Sequence, residues 1–258
     1  MSHYIATDLH GEYKLWERIR DYLKPNDVLY FLGDAADRGP DGLKIMRELL
    51  SNPRVVYLKG NHEELLINTI KEWLDLSSCS DYPHKRQSAQ SLHLANGGQA
   101  TQEDLLPGSH IEWEWYLRQL ENLPEIITVT SQNTGKIVCL SHAGCDPIDI
   151  GNNTFKNKFN QPLHDKDGPN LWLWNREHLI QPWPQESRFE NLYIIHGHTP
   201  VPALGYISCI DYPDPDKTKE IFIYADGHKI DLDLLSFQTK KAVLYNLDNM
   251  EVEKYFNE

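Results

Sequence analysis

An α/β fold built on a mixed central sheet is predicted by three features of the sequence. Short apolar runs end repeatedly in a polar, glycine-containing turn, and helical patterns follow several of those turns. The spacing is the third: Asp8 to Asp34 is 26 positions and Asp34 to Asn61 is 27, close to the length of a strand plus crossover helix in a parallel sheet. Tyr4 to Ala6 reads as the first strand, ending at Asp8-Leu9-His10-Gly11, with Leu15, Trp16, Ile19 and Leu23 then at helical spacing. Asp27 to Leu32 is the second strand, ending at Gly33-Asp34 before a helix from about Gly42 to Leu50. Arg54 to Leu58 is the third, ending at Gly60-Asn61-His62 before another helix. Ligands of open α/β sheets sit beyond the carboxyl ends of strands, so Asp8, His10, Asp34, Asn61 and His62 are expected on one rim.

From Asp75 to Leu123 the text turns polar, aromatic and helical, with Asn96-Gly97-Gly98 and a helix from Ile111 to Leu123. Strands on both sides of it contribute site residues. It therefore reads as a helical insertion over the site, within a single domain spanning 1–258. Further strands are expected at Lys136 to Leu140, Leu192 to Ile195, Ile221 to Ala225, Ala242 to Leu247 and Met250 to Tyr255. The first two end in Ser141-His142 and His196-Gly197-His198. Asp211 to Lys219 reads as a loop, and Trp172 and Trp174, alternating with leucines, read as core.

With 258 residues, 40% of them hydrophobic, the chain can bury a substantial core. A formal charge of -13 repels phosphate backbones and anionic lipid, so neither nucleic acid nor a membrane is an expected partner. No apolar run approaches the roughly 20 residues of a membrane-spanning helix. Candidate site residues begin at Asp8, which argues against a signal peptide and for the cytoplasm. Cys79, Cys139, Cys145 and Cys209 form no C-x-x-C pair and read as buried, reduced thiols.

Asp8, His10, Asp34, Asn61, His142 and His198 supply carboxylate, imidazole and amide oxygen with no thiolate, the donor set of a hard or borderline divalent metal. Six ligands from five strand ends suit two ions better than one. A bridging carboxylate would hold the ions roughly 3.5–4 Å apart for in-line phosphoryl displacement. Asp34, whose loop lies between the other two, is the bridging candidate.

Asp8-Leu9-His10-Gly11, Gly33-Asp34-Ala35-Ala36-Asp37-Arg38-Gly39 and Gly60-Asn61-His62-Glu63 resemble the metallophosphoesterase signature. Asp37-Arg38-Gly39, Asn96-Gly97-Gly98 and Trp174-Asn175-Arg176-Glu177 narrow the resemblance to PPP-type serine/threonine phosphatases of the calcineurin-like superfamily, particularly bacterial and phage members. The likeness runs from Asp8 to about Gly227 and implies a two-sheet mixed β-sandwich flanked by helices.

It also implies roles. Asp8, His10 and Asp34 would hold one metal, and Asp34, Asn61, His142 and His198 the other. Mn2+ is preferred, with Fe or Zn as alternatives. Arg38 and Arg176, with Asn61 at the same rim, would contact the substrate phosphate, which a planar guanidinium can grip in bidentate fashion. His62 would protonate the leaving alkoxide and Asp37 would orient it, while water activated between the ions attacks. Relatives with Gly-His-x-His use both histidines, whereas Pro200 stands here where the second would be. His196 is expected to be a strand-end histidine satisfied by hydrogen bonds. His3, His84, His93, His110, His164, His178 and His228 are expected to be surface or structural, and Ala225-Asp226-Gly227 stands where relatives carry Asp-Thr-Gly, leaving the role of Asp226 open.

The expected function is metal-dependent phosphomonoester hydrolysis, with a phosphoserine or phosphothreonine protein or peptide as leading substrate and a small phosphoester as the other. A symmetrical dinucleoside tetraphosphatase is the alternative of the same chemistry. A catalytically inactive phosphate-binding or interaction module is the alternative of another class. The intact Asp37-Arg38 and Asn61-His62-Glu63 favour the phosphatase.

Overall fold

Side chains that alternate along a strand must find two different apolar surroundings, and the strands of this chain do so strand by strand. The computed structural model describes residues 1–75, 88–147, 150, 171–206 and 220–258. In β1 (His3–Ala6), Tyr4 and Ala6 pack toward helices while Ile5 packs toward the opposite sheet. β2 (Val28–Phe31) sends Leu29 and Phe31 to the helices. β9 (Lys241–Asn246) divides Ala242 and Leu244 from Val243 and Tyr245 in the same way. With β3 (Val55–Tyr57) and β10 (Glu251–Asn257) these strands form a sheet ordered β10-β9-β1-β2-β3. β1, β2 and β3 run parallel, and β9 and β10 antiparallel to their neighbours.

The second sheet is ordered β4-β5-β6-β8-β7, from β4 (Ile126–Thr130), β5 (Ile137–Ser141), β6 (Leu192–His196), β7 (Phe222–Tyr224) and β8 (Lys229–Asp231). Val138, Leu140, Ile195 and Ile230 meet Ile5, Leu32, Val243 and Tyr245 between the sheets. Each such fully buried aliphatic side chain contributes about 1.5–3 kcal/mol relative to exposure. This is the two-sheet mixed sandwich the resemblance implies. Its helices lie outside: α1 (Tyr13–Tyr22) buries Leu15, Trp16 and Ile19, and α2 (Gly42–Ser51) buries Leu43, Ile45, Met46 and Leu49. α3 (Asn61–Trp73) begins on two of the rim residues, Asn61 and His62. The described residues of the segment read as an insertion form α4 (Ala89–Ala95), α5 (Gln99–Leu105) and α6 (His110–Glu121), which pack on α2 and α3. A short α7 (Ser236–Thr239) precedes β9.

Several expectations are revised. β4 and β8 are strands that the sequence reading leaves out. β4 is half-exposed on both faces, and β8 carries Lys229 and Asp231, which tertiary contacts bury. Leu171–Trp174 forms a short 3-10 turn, and Trp172 lies in the core as expected. Asp226 is exposed in the hairpin loop between β7 and β8 and does not approach the rim. Cys139 and Cys145 are buried free thiols, whereas Cys79, Cys209, His84, His164 and the loop Asp211 to Lys219 lie outside the described residues. Among the described residues, no helix is long and apolar enough to cross a membrane.

Candidate metal centre

The carboxyl ends of β1, β2, β3, β5 and β6 converge, so the rim is shared by both sheets. Past the strand ends the loops continue to pair: Asp8 N–H donates to Gly33 O (3.1 Å), His10 N–H to Asp34 O (3.0 Å) and Gly11 N–H to Ala35 O (2.9 Å). This pairing holds side chains in backbone conformations they disfavour. Asp8, His10, Asp34, Asp37, Arg38 and His198 all have positive φ, between 45° and 70°. Each costs about 1 kcal/mol or more, and strain gathered at one place is the mark of a functional site.

Asp34 lies between two clusters. Its Oδ2 is 3.6 Å from His10 Nε2, which is itself 3.8 Å from Asp8 Oδ1. Its Oδ1 accepts the His62 N–H (3.0 Å) and is 3.4 Å from His142 Nε2. Asn61 Oδ1 is 2.8 Å from both His142 Nε2 and His198 Nδ1. The six sequence-predicted ligands are thus brought together, and Asp34 faces both groups.

The donor chemistry fits a pair of cations. His10 Nδ1–H donates to Ala36 O (3.0 Å) and His142 Nδ1–H to Leu32 O (2.8 Å). A carbonyl can only accept, so each neutral ring turns a bare Nε2 inward. Burial keeps these rings neutral: it drives His10 down to about 3 and lowers His142 and His198. His142 Nε2, Asn61 Oδ1 and Asp34 Oδ1 therefore face one another as acceptors. Asp8 Oδ1 is buried with no hydrogen-bond partner among the described residues. Burial, then repulsion from Asp233 and Asp34, pushes the Asp8 carboxyl well above its ordinary range. Converging lone pairs and crowded carboxylates are the arrangement a divalent cation relieves.

Beside this cluster, His62 Nδ1 lies 2.6 Å from Asp37 Oδ2. Burial opposes the charged form of each. For Asp37 the hydrogen bonds from His62 and His93 outweigh it and hold the carboxyl below its usual range. For His62 the charge of Asp34 and the hydrogen bond to Asp37 outweigh it and raise the ring. Arg38 and Arg176 are exposed residues at the mouth, with Arg38 Nη2 3.2 Å from His62 Nε2. The Arg176 guanidinium reaches inward: burial lowers it, Asp233 opposes that shift, and Arg38 adds to it.

Some functional neighbours were not assigned from sequence. His93, expected to be surface or structural, is fully buried with Nε2 2.9 and 2.8 Å from the two Asp37 oxygens, and Thr101 Oγ1 donates to Asp37 Oδ1 at 2.6 Å. The signal was its place one turn before Asn96-Gly97-Gly98. Gly97, at φ +98°, accepts the Arg38 N–H (2.8 Å), and a Cβ there would stand 2.9 Å from Arg38 Cγ; a Cβ on Gly98 would strike the His93 ring. Asp231 and Asp233, the buried acids of the segment after Lys229, take the position near the arginines that Asp226 does not. The alternating Ile230, Leu232 and Leu234 was the sign that these acids occupy the opposite register.

Glu63 organises the loops. Oε2 accepts from Asp34 N–H and Gly60 N–H (both 2.8 Å), and Oε1 from Ala35 N–H (3.1 Å) and the Tyr57 hydroxyl (2.7 Å). An amide NH2 in Glu63→Gln would confront donors. We expect that variant to lose about 2–4 kcal/mol of stability and metal affinity to fall roughly 10–100-fold. Thermal denaturation and metal titration check this, and an unchanged variant would refute the four-donor account.

Comparison with known proteins agrees with the geometry. The model of the calcineurin-like phosphoesterase family matches residues 1–235. A symmetrical bis(5'-nucleosyl)-tetraphosphatase of Wigglesworthia glossinidia brevipalpis is 37% identical over 67 residues, 24% of this chain and 25% of that protein. Serine/threonine-protein phosphatase 2 of Escherichia coli is 29% identical over 133 residues, 50% of this chain and 53% of that protein. Serine/threonine-protein phosphatase 1 of Salmonella typhimurium is 27% identical over 203 residues, 77% and 78% of the two chains. The chain thus spans about a quarter of the matched tetraphosphatase and about half of phosphatase 2. Two solved structures share the fold: a serine/threonine phosphatase of Saccharomyces cerevisiae (TM-score 0.52, 13% identity, 100% of this chain and 80% of that one) and a cold-active protein-tyrosine phosphatase of a Shewanella species (0.54, 16%, 97% and 76%). A metal-ready rim on a two-sheet sandwich and a family match over nearly the whole length lead to one conclusion: the chain belongs to the calcineurin-like phosphoesterase family.

Proposed function

We propose that this chain is a PPP-type phosphomonoesterase that removes phosphate from phosphoserine or phosphothreonine in proteins, with two divalent ions, manganese preferred. The observation that carries the reading is the pair of exposed arginines, Arg38 and Arg176, at the mouth of a buried acceptor cluster, with the His62–Asp37 pair alongside. The ions, held by Asp8, His10 and Asp34 and by Asp34, Asn61, His142 and His198, would supply charge neutralisation and an acidified water for in-line attack.

The side chains do the rest. Arg38 and Arg176 bind phosphoryl oxygens and stabilise the charge that grows on them. In the structure Arg38 Nη2, which can only donate, faces His62 Nε2. When Arg38 turns to a phosphate, Nε2 is free to take up a proton from water and pass it to the leaving alkoxide, while Asp37 keeps Nδ1 protonated and the ring oriented.

The short-range likeness to tetraphosphatases supports the alternative substrate. A net charge of -13 repels a highly anionic tetraphosphate and attracts a phosphopeptide with basic flanks. We expect kcat/KM for basic phosphoserine or phosphothreonine peptides to exceed that for diadenosine tetraphosphate in one buffer with one metal. A panel with the opposite order would replace the substrate and leave the metal chemistry standing. An aryl phosphate assayed with and without added metal separates both from an inactive binding module.

A further inference from the structure

We propose that His93 is a positioning residue, which fixes Asp37 and through it the ring of His62, so that helices α4 and α5 complete the proton-donating side of the site. The proposal rests on the reading of His62 as general acid.

The assignment follows from the contacts of one carboxylate. His93 Nε2 lies 2.9 and 2.8 Å from Asp37 Oδ1 and Oδ2, and a carboxylate accepts, so Nε2 carries hydrogen. On the other edge of the ring, His93 Nδ1 is 3.2 Å from Thr69 Oγ1, which ties the ring to α3, the helix that carries His62.

Asp37 is completely buried, and a buried carboxylate must keep its donors. The groups facing His93 and its partner are Thr69 from α3, Thr101 from α5, Asp37 itself and, across Asp37, His62. The two-oxygen contact of His93 stops the carboxylate from rotating, which fixes the oxygen that receives His62 Nδ1–H.

The test is kinetics on the full chain. His93→Gln keeps a donor to Asp37 but not the ring that spans both oxygens and Thr69. Its kcat should fall about tenfold for an alkyl phosphomonoester and less than about threefold for an aryl one, with KM within about twofold and two metals retained. Equal losses for both leaving groups, or lost metal, would make His93 merely structural and sink the proposal. His62→Asn on the same two substrates tells the two readings apart: no leaving-group dependence there overturns the general acid, and a dependence there without one in His93→Gln overturns the positioning role alone.

Discussion

Asp34→Asn should abolish phosphomonoester hydrolysis, a loss on the order of 10³-fold or more, and reduce bound divalent metal from two ions per chain. The carboxylate presents one oxygen to each cluster, with Oδ2 3.6 Å from His10 Nε2 and Oδ1 3.4 Å from His142 Nε2. An amide keeps one oxygen and replaces the other by a donor that cannot ligate. It also removes the negative charge that offsets two cations. The fold should survive, because the remaining oxygen can still accept the His62 N–H that Asp34 Oδ1 accepts now. Two measurements check this apart from activity. Elemental analysis should find fewer than two ions, and chelation should lower the melting temperature of the wild type far more than that of the variant, since only a bound ion adds stability by mass action. A fully active Asp34→Asn protein holding two ions would end the bridging account.

The parts of this molecule legible in sequence are those where local chemistry and tertiary environment agree. β1, β2 and β3 read clearly because each apolar run ends on a polar residue that the rim needs, and the 26- and 27-residue spacing is the length of one strand, loop and helix. His142 and His198 stand out as candidate ligands because each lies just past the end of an apolar strand. Where burial overrides residue type, reading stopped. β8 hides behind Lys229, whose buried amine donates to His178 O at 2.8 Å, a partner 51 positions away. His93 hides because helical periodicity cannot say which distant carboxylate a buried imidazole will meet, and Asp37 is 56 positions back.

The same limit explains Ala225-Asp226-Gly227. An acid beside glycine reads as a site turn, yet here it closes a hairpin in which Ala225, Asp226 and Gly227 all take positive φ. The acids that approach the arginines arrive one strand later, at Asp231 and Asp233. Each keeps a local contact: Asp233 N–H donates to Asp231 Oδ1 at 3.1 Å and Asp233 Oδ1 accepts from Leu235 N–H at 2.7 Å. Those turn contacts hold Asp233 beside Asp8, where its charge adds to the demand for cations.

His62→Asn should lower kcat by roughly 10²–10⁴-fold on alkyl phosphomonoesters, the range for loss of a positioned general acid, and by much less on aryl phosphates. An alkoxide leaves poorly without a proton and a phenolate leaves well, so the difference between the two substrates isolates proton donation from binding. Metal content should be unchanged if His62 is not a ligand. The geometry makes that outcome informative, since His62 Nε2 is 3.8 Å from Asp34 Oδ2 and the ring lies beside His10. His10, Asp34 and His62 are near enough together to hold an ion themselves. Two features argue that His62 does not. Its Nδ1 is bound to Asp37 at 2.6 Å, and its Nε2 is turned to Arg38, the residue proposed to meet phosphate. Asp8, by contrast, has a buried oxygen with no hydrogen-bond partner among the described residues. A His62→Asn protein that keeps two ions and loses rate mainly on alkyl substrates fits an acid. One that loses an ion, with equal losses on both substrates, would move His62 into the metal set and leave the leaving group to be protonated by another residue.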